Sequence, residues 1–238
     1  MKASVALLLT LAGLLGAFAA QAQMEIESGS MHVENAESVF EHDVVVTGEG
    51  IVITSDEIRV ARDGGAMTAR GNPVVLVVER PTATIRVQAA TIVYQPEDEV
   101  ALLPAGGQIT GREVTVTAGQ ISVDLAAGSV QARTAVRILA ADSEARGEQL
   151  DLAADGSLQM RGMPATLQMT IDGDSASGQA QLIRLAGDGR QLYMQGSAQS
   201  VYKGETIVAE KITYNLATGE LATEAAPGER VRVVIDAP

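Results

Sequence analysis

The residue types that perform covalent chemistry are scarce in this sequence. There is no cysteine, which excludes thiolate nucleophiles and thiolate metal sites, and there are only two histidines, His32 and His42. One short run, Gly173-Asp174-Ser175-Ala176-Ser177, has the Gly-Asp-Ser order of some serine hydrolases. A serine nucleophile needs a base that is itself held by a third group, and both histidines lie far upstream. The run reads more simply as a polar Gly/Ser turn. His32 and His42, with Glu34, Glu41 and Asp43 beside them, could face each other across a hairpin, but the spacing closes no set of metal ligands. Phosphate-binding and dinucleotide fingerprints are absent. The expectation is a protein that is no enzyme and needs no metal or cofactor.

Charge and composition narrow the partners. Seventeen basic residues against 30 acidic ones give a net charge of −13, which excludes nucleic-acid binding through phosphates. Aromatic residues make up 3% and tryptophan is absent, so stacking platforms for sugars or bases are few and an apolar ligand fits better. Lys2, the apolar run from Val5 to Ala20 and the Ala20-Gln21-Ala22 site predict a signal peptide over residues 1–22, and one exported domain over 23–238. An export signal on a cysteine-free chain points to the bacterial periplasm.

The elements that would position a ligand follow from a repeat. GETIVAEKITYNLATGEL (204–221) changes the parity of its apolar residues: Ile207 and Ala209 share one face, Ile212 and Tyr214 the other. The same small-x-x-apolar spacing recurs at Ser28/Met31, Ser55/Ile58, Ala89/Ile92, Ala118/Ile121, Gly147/Leu150 and Ala180/Ile183. Turn residues follow nearly every copy, as at Asp63-Gly64-Gly65 and Gly187-Asp188-Gly189. Two strand entries also resemble each other, ARGNPVVL (69–76) and MRGMPATL (160–167). Alternating Val, Ile and Thr with frequent turns and no capped helical period predict an all-β chain of roughly 16–19 strands. A parity switch without a turn requires a bulge or corner in the strand. Repeated about every 30 residues, it bends stacked strands around a common apolar interior. The expected fold is an elongated β-jellyroll of two facing antiparallel sheets, open at both ends.

The order of these segments resembles a known family. MEIESGSMHVENAESVFEHDVVVTGEGIVITSDEIRV (24–60), RGNPVVLVVE (70–79), QAATIVYQPEDEVALL (88–103) and QGSAQSVYKGETIVAEKITYNLATGELATE (195–224) are similar to the strands of the OstA-like domain family, that of LptA-type lipopolysaccharide-transport proteins. The resemblance covers 24–103 and 193–235, and is only generic over 104–192. It implies a periplasmic lipopolysaccharide-binding jellyroll in the bridge from inner to outer membrane, with acyl chains in its groove. It also implies an LptC-like inner-membrane partner, an LptD-like outer-membrane partner and head-to-tail association of copies. The chain has more repeat units than typical members and lacks their basic C-terminal tail, so an LptC-like or fused role stays open. On the matching positions, Met24 and Ile26 fall on the strand that meets lipid and neighbour, and Leu76 on the apolar position after the Gly-x-Pro segment. The repeat adds Ile53, Ile58, Ile92, Tyr94, Ile121, Ile212 and Tyr214 as inward, lipid-binding candidates; ordinary core packing is the other reading for each. From a different class, a structural β-solenoid or adhesin-like module binding no lipid also fits the repeat.

Overall fold

A computed structural model describes residues 24–62, 64–80, 83–111, 114–171 and 173–235, and the expected signal peptide lies outside them. The described residues form antiparallel strands and no helix. They fall into two compact units, one running up to residue 111 with 124–126, and one covering 114–123 and the described residues from 127 on.

The N-terminal unit contains β1 (Glu25–Glu27), β2 (Ser30–Glu34), β3 (Glu37–Gly48), β4 (Ile51–Ala61), β5 (Met67–Arg80), β6 (Ala83–Gln95), β7 (Val100–Leu103) and β8 (Gly107–Gly111). The C-terminal unit contains β9 (Val114–Ala118), most of β10 (Gln120–Asp124), β11 (Ser129–Ala140), β12 (Ser143–Leu152), β13 (Leu158–Ile171) and β14 (Asp174–Leu185). It continues through β15 (Gln191–Tyr202), β16 (Glu205–Asn215), β17 (Leu221–Glu224) and β18 (Arg232–Ile235). Within each unit, consecutive long strands pair as hairpins.

The parity switch is a corner, and every long hairpin has one. Asp56 of β4 stands alone opposite His42 and Asp43 of β3, and Ala90 of β6 opposite Gly71–Pro73 of β5. In the C-terminal unit Glu148, Gln181 and Glu210 stand opposite the paired corner residues 134–135, 162–164 and 196–197. His42, Asp43, Thr134, Ala135, Gly196 and Ser197 take φ between 50° and 83°, the left-handed conformation that lets an extra residue turn the strand. Asn72-Pro73 and Met163-Pro164, in the two similar entries, are both cis. Each long strand therefore has two arms. In one strand of a pair, the inward side chains flanking the corner are three residues apart, as at Ala209 and Ile212. In its partner they are four or five apart, as at Met194 and Ala198 or Met160 and Ala165.

The small residue before a corner is there for space. A Cβ on Gly147 would sit 2.7 Å from both Met160 Cγ and Arg161 O. A Cβ on Gly178 would sit 2.6 Å from Met194 Sδ, which belongs to the other arm, so the two arms touch at that point.

Two sequence expectations are corrected. The copy at Ser28/Met31 is present in register, since β1 and β2 pair with β3 on either side of Gly29, but Met31 and Val33 are 42% and 68% exposed rather than inward. They lie on an edge strand with no further described strand over them. Asp174–Ser177 is the start of β14 rather than a turn, because Ser175 and Ser177 pair with Thr170 and Gln168. A run of small polar residues can carry a strand when a long partner supplies the ladder.

Candidate binding groove

Inward positions of the two units are filled differently. In the N-terminal unit one arm turns Val44, Val46, Ile53, Val74, Leu76, Val78 and Val87 inward, and the other turns Ile58, Ile92 and Tyr94. All of these are essentially inaccessible, and the interior is closed by branched side chains. In the C-terminal unit the equivalent arm presents Ala145, Ala165, Ala176, Gly178, Ala198 and Ala209. Opposite them stand Leu150, Met160, Ile183, Leu192, Met194 and Ile212.

Beside two of these small residues, Ala176 and Gly178, lies a groove of about 230 Å³. Leu167, Met169, Ala176 and Gly178 form one wall; Leu192, Met194, Ile212, Tyr214 and Leu221 form the other. Ser200, Tyr202 and Glu205 bring polar groups to the same space. Thioether side chains adapt to flexible ligands better than branched ones, and two of the wall residues are methionine. An enclosure that is apolar inside with a few polar groups suits an amphiphile better than a polar substrate.

The candidates named from the sequence are distributed unevenly. Ile212 and Tyr214 line the groove. Ile53, Ile58, Leu76, Ile92 and Tyr94 are packed inside the N-terminal unit, and Ile121 is buried on β10. Met24 and Ile26 are half-buried at the N-terminal edge, with Met24 lying against Gly48. Leu167, Met169, Leu192 and Met194 are groove residues that the repeat rule did not find. They sit on β13 and β15, whose corners span two or three residues and so escape a spacing rule of three.

Several charged groups on outer faces pair with one another. Arg59 binds Glu57 at 2.8 Å, which lowers the Glu57 pKa, and Arg70 approaches the same carboxylate at 3.4 Å. Glu144 receives Arg137 at 2.7 Å and Arg146 at 2.5 Å, and these hydrogen bonds hold its pKa at about 2. Burial, then the charge of Glu99, raises the Tyr94 phenol. Ser175 is exposed and Asp174 is engaged by Lys203 at 3.1 Å. His32 meets Glu41 at 3.7 Å and His42 meets Ser30 at 3.2 Å. Among the described residues no three His, Asp or Glu side chains gather into a metal-binding group.

Residues 25–129 match the model of the family described as "LptA/(LptD N-terminal domain) LPS transport protein". The crystal structure of LptH from Pseudomonas aeruginosa, described as the LptA-homologous periplasmic component of the lipopolysaccharide transport device, is similar at 20% identity and a TM-score of 0.48. The similarity covers 52% of this chain and 95% of that one. No curated protein matches the sequence.

Proposed function

We propose, from the match of residues 25–129 to the LptA/(LptD N-terminal domain) lipopolysaccharide-transport family, that the chain is a non-catalytic periplasmic carrier. It forms part of the bridge that takes lipopolysaccharide from inner to outer membrane. The acyl portion occupies the groove of the C-terminal unit, between the Ala176–Gly178 wall and Met194, Ile212 and Tyr214. The observation that carries this reading is the contrast between a filled N-terminal interior and a groove opened by small residues. An acyl chain there gains about 0.8 kcal/mol for each methylene it buries.

The strand edges supply the docking surfaces in this reading. β1 and β2 of the N-terminal unit, and β18 of the C-terminal unit, are edge strands carrying exposed Met31, Val33, Val233 and Val234. Unpaired edges invite strand addition, which suits head-to-tail copies, an LptC-like donor and an LptD-like acceptor. Met24 and Ile26 act at that first edge, while Ile53, Ile58, Leu76, Ile92, Tyr94 and Ile121 act as packing that keeps the carrier rigid. The filled N-terminal interior favours the alternative, a structural module binding no lipid, for that unit taken alone. The test is to incubate the purified protein with lipopolysaccharide, re-isolate it and quantify bound lipid by mass spectrometry. Stoichiometric lipid is expected, and none above a cysteine-free control protein would sink the carrier reading.

A further inference from the structure

Strands β11 to β16 carry a second concavity, which reaches onto the face opposite the groove. Because side chains alternate, Leu192 and Ile212 point into the groove while their neighbours Tyr193 and Lys211 point out. The outward residues, with Val130, Leu152, Leu158 and Leu185 beside them, line an open trough of about 860 Å³. One cross-strand row runs through it, Asp151 opposite Gln159, Gln159 opposite Arg184, and Arg184 opposite Tyr193. A parallel row places Gln195 opposite Lys211.

Two donors in the first row are unused. Gln159 Nε2 is buried at the trough and has no hydrogen-bond partner. Arg184, directly opposite it, has no carboxylate within 4.0 Å among the described residues. The other charges at the trough are matched: Asp151 lies 3.6 Å from Arg161, and Lys211 lies 2.8 Å from Glu224. In a chain of net charge −13, this leaves an unpaired guanidinium and an unpaired amide side by side on an otherwise neutralised face. Side chains directly opposite on paired strands have Cβ atoms about 5 Å apart, so a turn of the Gln159 amide toward the trough brings both donors to one oxyanion group. Next in the row is Tyr193, whose hydroxyl donates to Gln191 and whose ring stands beside Arg184. An aromatic ring flanked by amides is a platform for a sugar ring.

We propose that this trough binds an acidic saccharide, with its phosphate or carboxylate on Arg184 and Gln159 and the adjoining sugar on Tyr193. The inference deepens the carrier reading and rests on it for the source of the saccharide, the glycan of the same amphiphile. Cargo would then be held on both faces of β15 and β16, with acyl chains within and glycan outside.

The probe is an acyl-free, phosphorylated core oligosaccharide, titrated calorimetrically into the full protein with maltoheptaose and inorganic phosphate as comparisons. Binding of the phosphorylated oligosaccharide is expected, weakened at least tenfold by Arg184→Gln and by Gln159→Leu. Lipid crosslinking from Tyr214 should be unchanged in both variants. Equal binding by Arg184→Gln, or equally tight binding of maltoheptaose, overturns the proposal. So does full competition by equimolar inorganic phosphate, which would mean that phosphate alone is recognised. If oligosaccharide binds as described while Tyr214 captures no lipid, the trough stands and the groove reading falls.

Discussion

Ala176 is the position where the groove can be closed with least disturbance. It lies on β14 between Met169 and Tyr202, its register partners, and lines the groove. Ala176→Leu adds three carbons to a space of about 230 Å³ that nothing else fills. Those carbons displace roughly three methylenes of a bound chain, which at ~0.8 kcal/mol each is about 2.4 kcal/mol, or roughly 50-fold in affinity. Displacement of a fluorescent fatty-acyl probe from the purified protein reads this directly. The thermal midpoint should hold or rise, because the leucine buries itself without a clash. A control change in the other unit, Ala69→Leu, behaves oppositely. Ala69 is wedged between Ile58 and Ile92, both inaccessible, so overpacking costs about 1–3 kcal/mol while probe binding stays as it was. Undiminished probe binding in Ala176→Leu would refute the reasoning, as would loss of binding in a folded Ala69→Leu protein.

Ile58→Ala removes a fully buried side chain and should cost about 2–5 kcal/mol in urea denaturation, whereas Val33→Ser at the exposed edge should stay within about 0.5 kcal/mol. Gly147→Val places a side chain against Met160 and the Arg161 carbonyl, and a loss of about 1–3 kcal/mol is expected by the same assay. Glu144 is held at about 2 against an ordinary 4.5, so in acid the unfolded chain takes up this proton first. Its contribution is complete above about pH 4.5 and is lost as pH falls toward 2; Glu144→Gln should therefore flatten the urea midpoint across that window, and an unchanged slope would contradict the assignment.

The fold was largely legible because corner and pattern are one event. A strand that turns its inward face across a single extra residue must place apolar residues three apart, and Ser55/Ile58, Ala89/Ile92, Ala180/Ile183 and Ala209/Ile212 all do so on the inside of the structure. The groove was less legible for two physical reasons. Its partner-strand residues Leu192 and Met194 precede a corner of two residues and Met169 follows one of three, where parity is kept or shifted differently and no fixed spacing appears. The repeat also weighs alanine as a spacer, whereas Ala176 matters because it stands between the large side chains of Met169 and Tyr202 at the groove. That is a cross-strand property, invisible along one strand. Met31 shows the limit of periodicity itself: the pattern gives a face, but only a neighbouring layer makes the face an interior.

Two tyrosines at equivalent positions of the repeat report on where lipid touches the chain. Tyr94 is sealed in the N-terminal interior, and Tyr214 lines the groove of the C-terminal unit. Replacing each in turn with a photo-reactive benzoylphenylalanine and irradiating cells that make lipopolysaccharide tests the central claim. A lipopolysaccharide adduct from position 214 and none from position 94 is the predicted result. An adduct from 94 with none from 214 would contradict it.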